Sequence, residues 1–527
     1  LGAFGCFFGH CCFLYCFHML SGVFFTVSVA CCFRVFSGVF LLLFWRVVFA
    51  GFFACCFGVI ICELCGGFSC FLQNMHIELS VNDGKDIRML KKFLLALVAC
   101  ATFVSGARAE IKVDIIAGAA EPISVAVQKI ETVGNVSGDD AKMIRDVVDA
   151  DLKSTGLFRI VARDALPEFV EMGKLPDFTL WSAVKADVLV QAKLSAESGG
   201  RYNLEFYVWD VNGKEQIEAQ SLVASKKSAR RLAHIMADAI YERLTGEVGY
   251  FDTQIVFIAE TGPVDQRIKR MAIMDQDGHG MRYLSDKDTF VMSPHFSPNM
   301  QTIVFLSFRD DDPMVWTLDL ETGEQRRLGQ FGGMNFAPRF SPDGTKIALS
   351  LVKDGITHIY EYDTETKALK QLTFGYSLNT SPSYSPDGKK LAFNSDRSGN
   401  QQIYVLDLES GEVERITYGA GRYATPAWSP DGQFIAFTKI ADDTFYIGIM
   451  SPNGRNEKIL AGGWYMEAPS WAPGSRRVVY YETEKALDGI ERMSHIRSVD
   501  ITGQNLYDIP LPDGIYGVEP TWSPKLP

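Results

Sequence analysis

Five histidines follow residue 110, His234, His279, His295, His358 and His495, and they are the first candidates for metal or acid–base chemistry. They stand singly. No His-x-x-x-His or Cys-His pair occurs among them, so the sequence holds no ligand set with the spacing that binds zinc. His358 and His495 share one column of a repeat described below, which gives them a structural reading. Asp275-Gln276-Asp277-Gly278 begins like a calcium loop but has no glutamate at its end, so a hairpin turn is expected. Nucleophilic serine chemistry would need a Gly-x-Ser-x-Gly elbow. The nearest string, Gly375-Tyr376-Ser377-Leu378-Asn379, lacks the final glycine. The expectation is therefore no catalytic residue, no metal site and no cofactor, with calcium in a polar channel left open as an alternative.

Composition is uneven along the 527 residues. All 12 cysteines lie at or before Cys100, and 17 of the 37 phenylalanines lie at or before Phe71. From Glu110 onward there is no cysteine, which excludes disulfides and thiolate metal sites there. The same stretch carries 44 basic and 59 acidic residues, a net charge of about −15 that disfavours nucleic acid as a partner.

Residues 1–88 show no helix or strand period and read as an upstream extension, the other reading being a membrane anchor through Gly22 to Ile61. A complete export signal follows in residues 89–109. It comprises Met89-Leu90-Lys91-Lys92, an apolar run from Phe93 to Val104, and Ala107-Arg108-Ala109, so cleavage is expected between Ala109 and Glu110 and the destination is the periplasm. Leu97-Val98-Ala99-Cys100 offers a lipoprotein-type alternative.

The elements that would position any site are set by a repeat. The pattern x-Pro-x-aromatic-(Ser/Ala)-Pro occurs six times, around Phe296, Phe340, Tyr384, Trp428, Trp471 and Trp522, at spacings of 44, 44, 44, 43 and 51 residues. Three copies continue as Ser-Pro-Asp-Gly, the composition of a tight turn. Each is followed by short alternating strands, and four strands per period of this length is the signature of a propeller blade. Residues Gln254 to Ser285 supply three strands without the leading motif, and Val518 to Pro524 supply the motif with nothing after it. Joined, they make a sixth, split blade. Ahead of the ring, strand candidates (Ile111 to Ile116, Ile123 to Gln128, Phe158 to Val161, Val188 to Leu194, Tyr202 to Trp209, Gln216 to Val223) accompany helix candidates Gly138 to Ser154 and Ser228 to Leu244. The predicted architecture is an α/β N-terminal sandwich, residues 110–249, followed by an all-β six-bladed β-propeller, residues 250–527, closed by residues 518–524.

The Ala-x-Ala signal, the cysteine-free α/β domain ending in Leu244-Thr245-Gly246, and six such blades ending in Pro520-x-Trp522-Ser523-Pro524 together resemble the TolB family, periplasmic components of the Tol-Pal system. The first motif copy departs with Asn299-Met300 and the fifth with Ala472-Pro473-Gly474. The resemblance implies a non-enzymatic, monomeric adaptor. Its propeller would bind the lipoprotein Pal and its N-terminal domain TolA of the inner-membrane Tol complex, in support of envelope integrity and cell division. Bacteriocins are a further implied partner. The rival class is a serine peptidase of prolyl-oligopeptidase type, disfavoured because neither the elbow nor a hydrolase domain is found.

Repeat position separates candidates for partner binding from packing residues. Phe331, Phe374 and Tyr418 share one column, and Trp428, Trp471 and Trp522 another, so both sets are expected to pack between blades. The loops joining successive blades are expected to form the partner face through Met334, Asn335, Phe336, Tyr376, Asn379, Arg422, Tyr423, Tyr465, Met466, Glu467 and Tyr516, with Glu482 to Ser494 at the same rim. Within them Asn335, Asn379, Tyr423, Met466 and Gly517, five residues before each motif aromatic, are expected to be free of structural duty.

Overall fold

Strand alternation and turn chemistry after residue 120 are regular enough to dictate most pairings. The computed structural model describes residues 121–263, 266–310, 312–485 and 493–527. The extension, the export signal with Ala109 and Glu110, the strand expected at Ile111 to Ile116 and most of Glu482 to Ser494 lie outside the described residues.

The N-terminal domain is a mixed sheet in the spatial order Phe158–Ile160, Ile123–Val127, Val188–Glu197, Arg201–Asp210, Glu215–Ser225, with Glu131–Val133 also pairing with the third of these. Helix α1, Gly138–Ser154, starts where Ser137 Oγ accepts a hydrogen bond from the Asp139 N–H. A short helix α2 spans Phe178–Ala183. Helix α3, Ala229–Thr245, ends at Gly246, whose φ of 73° is the left-handed conformation that lets its N–H reach Glu242 O. Alternate residues of the central strand serve opposite layers. Val188, Val190, Ala192 and Leu194 pack on α1 and α3, while Leu189 packs with Phe178 and Trp181 of α2. Glu131–Val133 and α2 are too short to give a period in the sequence.

Each of the six following sheets has four antiparallel strands in meander order, innermost strand first. Blades 1 to 5 begin with Val291–Phe296, Asn335–Phe340, Asn379–Tyr384, Arg422–Trp428 and Tyr465–Trp471. Blade 6 takes its inner strand, Tyr516–Trp522, from the C-terminus and its other three, Gln254–Thr261, Ile268–Asp275 and Arg282–Tyr283, from the start of the ring. The motif turn links first and second strands. Ser341 Oγ donates to Asp343 Oδ1 and accepts from the Lys346 N–H, and Ser385 and Ser429 repeat the pattern with Asp387 and Asp431. In the first copy Asn299 replaces the aspartate in this bond and Met300 takes the left-handed turn position, φ 60°.

A further repeated feature was not anticipated. The residue before each motif proline, Ser293, Ala337, Ser381, Thr425, Ala468 and Glu519, has φ between 45° and 55°. The inner strand changes register at that point in every blade. A left-handed non-glycine residue before proline is strained, and here the bulge turns a small set of side chains toward the central channel.

The α/β domain is joined to blades 5 and 6 by one continuous core. Tyr241, Tyr250, Phe251, Ile255, Phe257, Val479, Ile496 and Trp522 belong to a single buried cluster with α1 and α3. Contacts come through the hairpin turns of those blades. Arg477 Nη1 donates to Ser154 O, and a Cβ on Gly474 would stand 2.3 Å from Val248 O. The fifth turn therefore lacks the motif aspartate for a steric reason: the interdomain linker occupies its place.

Candidate partner-binding site

In a four-stranded meander the first-to-second and third-to-fourth turns share one end of the blade. The crossovers to the third strand and to the next blade share the other. The α/β domain uses turns of the first kind, so the crossover end is where a partner surface is to be sought. Six residues before the motif aromatics, at the crossover mouth of the channel, stand Phe290, Met334, Leu378, Arg422, Tyr465 and Tyr516. The first four are exposed and the two tyrosines half-buried. One position later stand Val291, Asn335, Asn379, Tyr423, Met466 and Gly517, and all are buried. Phe290, Met334 and Leu378 stand one residue ahead of their inner strands, which the next column opens, so neighbouring columns divide into an outward ring and an inward ring.

The expectation that the second column is free of structural duty is therefore corrected. Asn335 Oδ1 accepts the Val315 N–H of the preceding blade at 2.8 Å. Asn379 donates to Ser377 O at 2.7 Å and accepts from Arg397 at 2.8 Å. Tyr423 lies against Phe437 with its hydroxyl on Glu457, and Met466 is enclosed in the blade 4–5 core. A Cβ on Gly517 would meet Ile496 at 2.5 Å. The polar members, Asn335, Asn379 and Tyr423, tie inner strands to neighbouring segments because buried polar groups need partners.

Of the other expected site residues, Met334 is 49% exposed and Tyr376 96% exposed. Arg422 is exposed and Phe336 half-buried. Tyr465 donates to Glu467 at 3.0 Å, and burial pushes its hydroxyl up to about 12. Burial also raises Glu467. Tyr516 lies under the Arg267 guanidinium, 4.2 Å from ring centroid to Cζ. Phe290 and Leu378 were missed by the sequence reading, although counting six back from the motif aromatic finds both.

The aromatic column expected between blades is corrected as well. Phe331 does pack on Tyr362, with centroids 5.3 Å apart, but Phe374 is 70% and Tyr418 74% exposed. Thr373 and Thr417 just before them accept the N–H groups of Ile359 and Ile403, which ends the outer strand and releases the next side chain into solvent. By contrast Trp471 donates to Ala427 O of the neighbouring blade at 2.9 Å.

Behind the mouth lies a channel cavity of 160 Å³ lined by His295, Arg339, Glu467, Tyr481 and Glu519 together with the strained residues. Burial raises the Glu519 carboxyl, against the pull of a hydrogen bond from the Ser293 N–H. Burial also holds His295 well below its usual range, with Arg339 adding to the effect. Thr521 Oγ1, on the same lining, donates to Pro294 O at 2.7 Å and lies 3.2 Å from His295 Nδ1.

Among the described residues, an α/β domain fixed to the turn end of a six-bladed propeller, with an exposed ring at the other end, defines a two-domain propeller protein. The chain belongs to the TolB β-propeller family: the model of the TolB beta propeller domain matches residues 241–526, and that of the TolB amino-terminal domain matches residues 111–217. A curated relative, the Tol-Pal system protein TolB of Paramagnetospirillum magneticum, is 41% identical over 254 residues. That match covers 47% of this chain and 56% of the relative, so it spans little more than half the relative's length. The crystal structure of TolB from Acinetobacter baumannii matches with a TM-score of 0.68 at 25% identity, over 77% of this chain and 98% of that one.

Proposed function

We propose that the protein is a periplasmic, non-enzymatic adaptor of a Tol-Pal system, exported by residues 89–109 and released between Ala109 and Glu110. Its propeller, from residue 250, binds a lipoprotein of the Pal type at the crossover mouth. The α/β domain, residues 110–249, faces the inner-membrane Tol complex, with residues 110–122 as the segment that engages TolA. The observation that carries the reading is the outward ring, where Phe290, Met334, Leu378 and Arg422 lie exposed around one channel mouth near Tyr376. Aromatic residues, methionine and arginine are the side chains enriched in protein interfaces, and a few of them usually dominate affinity. Family membership supports the same assignment.

The test is calorimetry with a purified Pal-type lipoprotein. Tyr376→Ala combined with Arg422→Ala should weaken binding at least tenfold, about 1.4 kcal/mol. Unchanged affinity for this pair and for Met334→Ala with Leu378→Ala would move the site to another surface. Deleting Glu110 to Ala117 should abolish TolA binding and spare the lipoprotein.

A further inference from the structure

Helix α3 brings His234 against the hairpin of blade 6 that holds Asp275 and Asp277, 41 and 43 positions away in sequence. A ring nitrogen of His234 and one carboxylate oxygen from each aspartate lie within 4.8 Å of one another. We propose that these three residues form a binding site for a borderline-soft divalent transition ion, with Zn²⁺ as the reference ion, at the seam between the α/β domain and the propeller.

The histidine carries the argument. Its side chain is 4% exposed, and Nδ1 lies 2.7 Å from Asp151 Oδ2 of helix α1. The other oxygen of Asp151 accepts from Gln276 Nε2 at 3.0 Å, so the carboxylate is fixed from both sides. In the neutral ring the proton sits on Nδ1 against this carboxylate and Nε2 offers its lone pair, the outer-shell arrangement that orients histidine ligands in metal sites. Nε2 is buried and has no hydrogen-bond partner. A buried polar atom left so is costly, and an ion bound to the deprotonated nitrogen is one way of satisfying it.

The aspartates are held as firmly. The hairpin is closed by the Asp275 N–H to His279 O and the Gly278 N–H to Asp275 O, each 2.9 Å, and Asp277 Oδ1 accepts the His279 N–H. One imidazole and two carboxylates suit zinc and its transition-metal neighbours, whereas calcium and magnesium prefer oxygen throughout. Arg230 is the built-in competitor. Its guanidinium bonds Asp277 and has Nε 3.8 Å from Asp275, so it neutralises the pair of carboxylates and must swing aside for an ion. Its side chain is 23% exposed, which gives it an exit toward solvent. An ion held by α3 on one side and blade 6 on the other would staple the two domains and stabilise the folded state by mass action.

The experiment is a titration of the chelator-stripped full chain with Zn²⁺ alone, followed by calorimetry and thermal melting, with Co²⁺ as a spectroscopic probe. The expected result is one ion per chain, a raised melting temperature, and visible Co²⁺ absorption of a nitrogen–oxygen site. Asp277→Asn should weaken binding at least tenfold. Arg230→Ala, which removes the competitor and no ligand, should tighten it at least tenfold and so guards against loss through misfolding. Affinity no better than millimolar in both the wild type and Arg230→Ala, or binding indifferent to Asp277→Asn, would overturn the site.

Discussion

Trp522 Nε1 donates a 2.8 Å hydrogen bond to Thr253 Oγ1, tying the last strand of the chain to a residue 269 positions earlier. The same indole stands edge-on to Tyr250, with ring centroids 5.7 Å apart, so ring closure and interdomain docking share one side chain.

Trp522→Ala should therefore cost roughly 3 to 5 kcal/mol, the usual range for truncating a core aromatic. Differential scanning calorimetry should show a sharply lowered transition, while Tyr376→Ala, at an exposed position, should leave it within about 0.5 kcal/mol of wild type. Equal melts for Trp522→Ala and wild type would contradict the closure by the C-terminal strand.

Neighbouring residues Arg422 and Tyr423 should separate binding from stability. Tyr423 is fully buried, so Tyr423→Ala should destabilise by roughly 3 kcal/mol or more. Arg422→Ala should leave the melt unchanged while weakening the lipoprotein complex. Chemical denaturation and calorimetry on the two single variants check this, and a stable Tyr423→Ala protein would refute the inward placement of that column.

At the fifth turn, Gly474→Ala would set a methyl 2.3 Å from Val248 O, a backbone atom that cannot yield cheaply. A loss of roughly 1 to 3 kcal/mol is expected from such overpacking. Gly138→Ala is the control, since nothing lies within 4 Å of its added Cβ. If the two substitutions melt alike, the linker does not restrict the turn.

Asp238 supplies a pH dependence. Burial, opposed by the Phe251 and Asp252 N–H groups, raises its pKa from 3.8 to about 6. The folded state then binds more protons than the unfolded state between about pH 4 and 6, so stability at this site is full below pH 4 and declines as the pH rises to 6. The effect is of order 3 kcal/mol at most. Asp238→Asn does not titrate, so its melting temperature relative to wild type should rise from pH 4 to pH 7. Parallel profiles would show that the carboxyl ionises normally.

The sequence by itself determined the blade number, the split sixth blade and the helices at Gly138 and Ala229. These depend on local chemistry: a proline-led turn, a period of two or 3.6, and a glycine after a helix. Because the turn recurs every 44 residues in the first copies, the ring could be counted without coordinates. The two departures were visible too, although only Val248 explains why the fifth turn has glycine where the motif has aspartate.

Tertiary structure alone decided which of two adjacent columns faces the solvent. Asn335 and Met334 are neighbours with opposite environments, and the choice depends on the register of an inner strand whose bulge at Ala337 has no unambiguous sequence signal. A slip of one residue exchanges inward and outward faces. The approach of His234 to Asp275 and Asp277 was hidden for a related reason. Ligand spacing is readable when one helix or loop supplies the residues, whereas these come from a helix of one domain and a hairpin of another, and only the docked core around Tyr250 and Trp522 brings them together.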